Sequence, residues 1–124
     1  MSISIPIKKL QKECNPFAKT MSPWGTEAIT RSMVRKAIKE GRLQSQHGTE
    51  DHVERIAYLA VNHVKDPIEI DVGAPIVGYV PESFIQDGHH RLAAAIINGD
   101  SHIEAEVSGQ IDFANKLFGV DCME

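Results

Sequence analysis

A chain of 124 residues, 42% hydrophobic and 24% charged, has the composition of a folded globular protein with one core and no room for two full domains. Its formal net charge of −4 excludes DNA binding driven by bulk positive charge, though not a local basic patch. No apolar run approaches the ~20 residues of a membrane span, "MSISIPIKKL" lacks the build of a signal peptide, and Cys14 and Cys122 read as reduced thiols of a cytoplasmic protein.

In chain order, "SISIPI" (2–7) alternates polar and apolar residues and predicts a strand, placed at a sheet edge by Pro6. "ECNPFAKTMSPWG" (13–25) carries two prolines and a glycine and reads as a loop, with Trp24 within it as a core plug or, alternatively, a ring that stacks on a base. Thr26 is the expected cap of a helix reaching about Lys39, with Ile29, Met33, Ala37 and Ile38 inward and Gly41 ending it. "RLQSQHGTE" (42–50) is polar and reads as mobile. Residues 50–64 follow as a helix in which Val53, Ile56, Ala57, Ala60, Val61 and Val64 recur at helical spacing.

"PIEIDV" (67–72) alternates as a strand with Ile68, Ile70 and Val72 on one face. "IVGYV" (76–80) and "SFIQD" (83–87) flank Pro81-Glu82 and predict a tight hairpin. A helix from about 88 to 98 ends at Asn98-Gly99, and Ala93 to Ala95 suit close packing against a sheet. "IEAEV" (103–107) returns as a strand and "DFANKLFG" (112–119) as a closing helix. Strands and helices mix without strict alternation, so the expected class is a small α+β domain with a mixed sheet and packed helices.

The chemistry gathers in "DGHHR" (87–91). Asp87 suits a helix N-cap, and Gly88 lets a ligand approach the backbone. The first turn of the helix exposes N–H donors and the positive end of its dipole. Arg91 adds a fork that fits phosphate oxygens, so the stretch can cradle a phosphate. The plainer reading of the same residues is a capped helix whose polar start faces water. His89 and His90 lie ~100° apart on a helix and have only alanines, Ala93 to Ala95, around the next turn, which leaves a metal site without its other ligands. Either histidine can instead donate to phosphate or act as a general base. His47, His52, His63 and His102 read as surface or capping residues. "GAPIVG" (73–78) has neither the Walker spacing nor the dinucleotide fingerprint.

Three stretches carry a family resemblance: "IPIKKLQKECNPF", "HVERIAYLAVNHVKDPIEIDV" and "FIQDGHHRLAAAIINGDSHIEAEV". In order and residue type they resemble the ParB/sulfiredoxin-like superfamily across most of the chain, with residues 18–48 looking like an insertion into a single domain over 1–124. The last stretch is similar to the family's strand, Gly-x-x-Arg turn, Ala-rich helix and final strand. That resemblance implies nucleotide binding by Gly88, His89, His90 and Arg91, with Asn15 and Pro16 in the facing loop.

His89 stands where sulfiredoxins carry their cysteine, and "GHHR" where ParB carries Gly-Glu-Arg-Arg, so neither parent activity is expected. Asp87 to Arg91 are similar to the Asp-Gly-His-His-Arg of ParB-like free-serine kinases, which are larger and use an N-terminal glutamate. Glu13 and Glu27 are the candidates for that glutamate here. The expected function is therefore phosphoryl transfer or nucleotide hydrolysis, with His89, His90 and Asp87 as the catalytic candidates. A carboxylate beside a phosphate repels it unless a cation intervenes, so Mg²⁺ with ATP or another nucleotide is implied. Two other readings stay open: a ParB-like DNA nuclease, and a non-catalytic module of a phage or mobile element that binds a protein or nucleotide.

Overall fold

The computed structural model describes residues 2–19, 23–24, 28–45, 51–63, 66–81 and 84–119. Its fold is α+β, as expected, with a four-stranded mixed sheet and five α-helices among those residues. The chain divides into two compact units. One comprises Met1–Cys14, Asp66–Gly88 and Ser101–Glu124; the other comprises Asn15–Lys65 and His89–Asp100.

The first unit holds the sheet. β1 (Ser2–Pro6) pairs antiparallel with β4 (His102–Ser108), β4 runs parallel to β2 (Ile68–Asp71), and β2 pairs antiparallel with β3 (Ile85–Asp87), giving the order β1-β4-β2-β3. Pro6 therefore lies on an edge strand, where its missing N–H costs the sheet least. The two-residue alternation separates the faces. Ile5, Ile68, Ile70, Ile85 and Ala105 are buried, while Ser4, Glu69, Asp87, Glu104 and Glu106 are exposed. Burial of each isoleucine contributes about 1.5–3 kcal/mol.

Two features of this unit depart from the sequence reading. Ile7–Glu13 forms a short helix, α1, directly after Pro6 rather than leading straight into a loop. Its apolar Ile7 and Leu10, three apart, are buried, and it packs against β1 and α5 (Ile111–Phe118). Seven residues are too few for a helix to persist by itself, so this one depends on that packing. The expected 76–80/83–87 hairpin is also absent. Pro75–Val77 is a 3-10 turn ending at Gly78 (φ +79), and β3 takes β2 as its partner. A proline-set turn followed by a left-handed glycine curls the segment back on itself, so that only Ala74 and Tyr79 bridge.

That loop is braced. Ala74 and Tyr79 exchange both backbone hydrogen bonds, the N–H of Gln110 donates to the Gly73 carbonyl, and the N–H of Gly73 donates to Asp71 Oδ1. The Tyr79 hydroxyl donates to Asp71 Oδ2 at 3.0 Å, and this bond, then the carboxylate charge, hold the phenol's ionisation above the ordinary tyrosine value. The raised value stabilises the fold fully below pH about 10, and that contribution is lost as pH rises through the folded-state value. In a Tyr58→Phe background, an ultraviolet phenolate titration should give a midpoint above 10 that Asp71→Asn brings back down; an unmoved midpoint would refute the coupling.

The second unit is helical: α2 (Arg31–Lys39), α3 (His52–Asn62) and α4 (His89–Ile97) pack on one another. Its core joins Trp24, Ile29, Val34, Ala37, Ile56, Ala57, Leu59, Ala60, Ala93 and Ala94. Thr30, not Thr26, caps α2 by accepting from the N–H of Met33; Thr26 lies outside the described residues. The later start turns Val34 and Ala37 inward and leaves Met33 exposed, while Ile29 is buried ahead of the helix. Of residues 18–48, Trp24, Ile29, Val34 and Ala37 belong to this core. Asp51 caps α3, whose inner face is Ile56, Ala57, Leu59 and Ala60; Val61 is exposed. Arg55 is also buried, donating to the Ser45 carbonyl at 2.6 Å and lying over the Tyr58 ring. Ala93 and Ala94 belong to this helical core, and Asn98 Nδ2 ties the end of α4 to the Ala60 carbonyl of α3.

Candidate functional site

The "DGHHR" stretch begins as the last residue of β3 and continues as the first turn of α4. Asp87 ends the strand, exposed and opposite Glu69. Gly88, the single residue between strand and helix, has φ +112, a conformation that side chains rarely tolerate. α4 starts at His89, so the position directly before the helix is Gly88, and Asp87 stands one residue upstream of the cap expected for it. His89, His90 and Arg91 are then the first three helical residues.

Successive residues on this turn diverge by ~100°. His90 faces His52, the first residue of α3, with Nδ1 of His52 and Nε2 of His90 2.9 Å apart. One ring donates and the other accepts, which orients both imidazoles. Trp24 packs against the pair, its ring centroid 4.9 Å from each, and meets His89 edge-on at 6.2 Å. Trp24 is only 8% exposed and its Nε1–H donates to the Pro16 carbonyl at 2.7 Å. It is thus the core plug that the sequence suggested, and it links the Asn15–Phe17 loop to the histidines. Asn15 Oδ1 accepts from the N–H of Phe17, so this side chain shapes its own loop. Arg91 is half-buried with Nε shielded from solvent.

The helical unit therefore brings together His89, His90 and Arg91 and, through Trp24 and Pro16, the Asn15 loop. His52, read from sequence as a surface or capping residue, belongs to the same cluster. Its only sequence signal was its place beside Asp51 at a helix start; the partner 38 positions away was not visible. Of the other histidines, His63 ends α3 in a left-handed conformation, His102 is exposed beside Ser101, and His47 lies outside the described residues. Glu13 is exposed at the end of α1, and Glu27 lies outside the described residues.

Both members of the histidine pair sit at helix starts, where the dipole favours a neighbouring anion. Among the described residues, no group of three or more His, Cys, Asp or Glu is arranged to hold a metal ion by itself. No helix among them is long and apolar enough to cross a membrane. Compared with known family models, curated proteins and solved structures, the chain matches none.

Proposed function

We propose that the first turn of α4 binds the phosphates of a nucleotide and that the chain transfers or hydrolyses the terminal phosphoryl group there. The observation that carries this reading is the His52–His90 hydrogen bond at the helix start, which holds an imidazole in one orientation one residue before Arg91 in the chain. Backbone N–H groups at a helix N-terminus and an arginine fork are the ordinary means of binding phosphate. The similarity of residues 84–107 to the phosphate-binding turn of ParB/sulfiredoxin-like proteins points the same way.

In this reading an imidazole of the first turn, His89 or His90, takes the proton from an attacking water or hydroxyl. The new P–O bond forms as the phosphoanhydride bond breaks, and the nucleoside diphosphate leaves with the bond's electrons. Arg91 neutralises charge on the phosphate oxygens. Mg²⁺, when bound with the nucleotide, would neutralise phosphate charge as well.

Thermal shift with ATP, ADP, CTP and GTP, each with and without Mg²⁺, tests the reading. At about a hundred times Kd, a nucleotide should stabilise the protein by about 2.7 kcal/mol, several degrees in Tm. Trp24, the only tryptophan, should report the same binding by its emission. Arg91→Ala is expected to remove the shift while keeping the helical far-ultraviolet signal. No shift with any nucleotide, or an equal shift in Arg91→Ala, overturns it.

A further inference from the structure

Positive charge is concentrated on one helix of this acidic chain. Five of its 13 lysines and arginines fall within residues 31–42, against one carboxylate, Glu40, although the whole carries a net −4. On α2, Arg31, Arg35 and Lys39 follow one another at intervals of four and form a row, with Lys36 beside it. All four are exposed, and the other side of the helix carries the buried Val34 and Ala37. The row runs about 12 Å along the helix axis. It lies within residues 18–48, the segment that the family resemblance leaves out.

A solvated helix face ordinarily mixes signs, so that a carboxylate one turn before a lysine relieves it. This face does not. Arg31–Arg35 and Arg35–Lys39, four apart, and Lys36–Lys39, three apart, are all like-charge spacings that oppose the helix. Lys36 and Lys39 complement the dipole in the last turn, but Arg31 and Arg35 precede that turn. The nearest carboxylate in the chain is engaged elsewhere, since Arg42 takes Glu40 at 2.9 Å and Glu54 at 3.1 Å. Among the described residues Arg35, Lys36 and Lys39 form no ion pair, and the Arg31 guanidinium lies over the Phe17 ring at 5.3 Å.

The shape and density of this charge select the partner. A nucleic-acid duplex presents one negative charge per ~1.7 Å of axis, about seven along the ~12 Å row. An extended acidic peptide presents at most one per ~3.3 Å. A single strand is held largely by stacking on aromatic rings, and α2 has none. An anionic membrane is held by apolar insertion as well as charge, and the apolar side of α2 is buried in the core. A rod-like polyanion can meet the row alone, while the acidic remainder of the chain keeps it to that face.

We propose that the face of α2 formed by Arg31, Arg35, Lys36 and Lys39 docks on the phosphate backbone of a nucleic-acid duplex. Contacts to phosphates alone carry no sequence information, so the docking is independent of sequence. Fluorescence anisotropy with a labelled DNA duplex about two turns long tests this on the whole chain, starting at ~50 mM salt. Each neutralised phosphate contributes about 0.9 to the fall of log affinity with log salt, so four cations should give a slope of about −3 to −4. Arg35→Gln/Lys39→Gln should weaken binding at least tenfold and cut that slope by about 2. Lys8→Gln/Lys9→Gln removes the same charge from exposed positions of α1 and should change affinity less than threefold. Circular dichroism should show both variants folded, since all four positions are exposed. No binding of the duplex, equal binding by the α2 variant, or an equal loss in the α1 variant overturns the proposal. So does tighter binding of the single strand or of polyglutamate, or co-sedimentation with phosphatidylcholine–phosphatidylserine vesicles that the α2 variant abolishes.

Discussion

Trp24→Ala is expected to cost about 3–5 kcal/mol of unfolding free energy, the largest loss of any substitution near the candidate site. Trp24 is almost wholly buried, shares a core with residues of α2, α3 and α4, and donates its indole N–H to Pro16. Truncation opens a cavity in that core and leaves the Pro16 carbonyl without this donor. It also removes the surface on which the rings of His52 and His90 rest. Against a total stability of about 5–15 kcal/mol, the loss would bring the protein close to unfolding at ordinary temperatures. Trp24→Phe keeps most of the packing and should lose less than half as much. The measurement is urea denaturation followed by circular dichroism, because the alanine variant has no tryptophan to report fluorescence. A loss under about 1 kcal/mol, the ordinary effect of a substitution, would show that this ring does not hold the helical core.

Gly73→Ala is expected to be strongly destabilising in the sheet-bearing unit, and Gly78→Ala is its internal control. Both glycines have nearly the same positive φ, +76 and +79, so both alanines carry the backbone strain of about 1–2 kcal/mol. They differ in space. A Cβ at Gly78 meets nothing within 4 Å, whereas one at Gly73 runs into the Tyr79 carbonyl and the Pro81 ring. The excess loss in Gly73→Ala over Gly78→Ala therefore measures how firmly the loop is closed on β2, and it should exceed about 1 kcal/mol. Equal losses in denaturant titration would mean that the loop gives way freely.

Local order was legible where a segment carried its own signal. The alternation of "PIEIDV" and "IEAEV" yielded β2 and β4, and Pro6 marked β1 as an edge. The helical spacing of Ile56, Ala57 and Ala60 yielded α3, and Gly119 closes α5 as expected. Such patterns work because each residue's burial follows from its phase within the strand or helix. "DGHHR" likewise marked itself, since its donors and cation are consecutive in the chain.

Segments with weak or divided signals were settled only in three dimensions. α1 has two buried side chains and forms because β1 and α5 lie beside it. "IVGYV" has strand-forming residues, but Pro75 and Gly78 curl it, and β3 finds its hydrogen-bond partner in β2.

By itself, then, the sequence determined the α+β class, most of the strands and helices, and the chemical groups at the start of α4. Tertiary structure alone decided that His52 meets His90, that Trp24 backs both rings, and that a braced loop holds Ile76 and Val80 at the surface. The physical reason is one of range. Periodicity and capping depend on neighbours a few residues away, whereas a hydrogen bond across 38 positions or a carbonyl closing on a glycine depends on how separate segments pack.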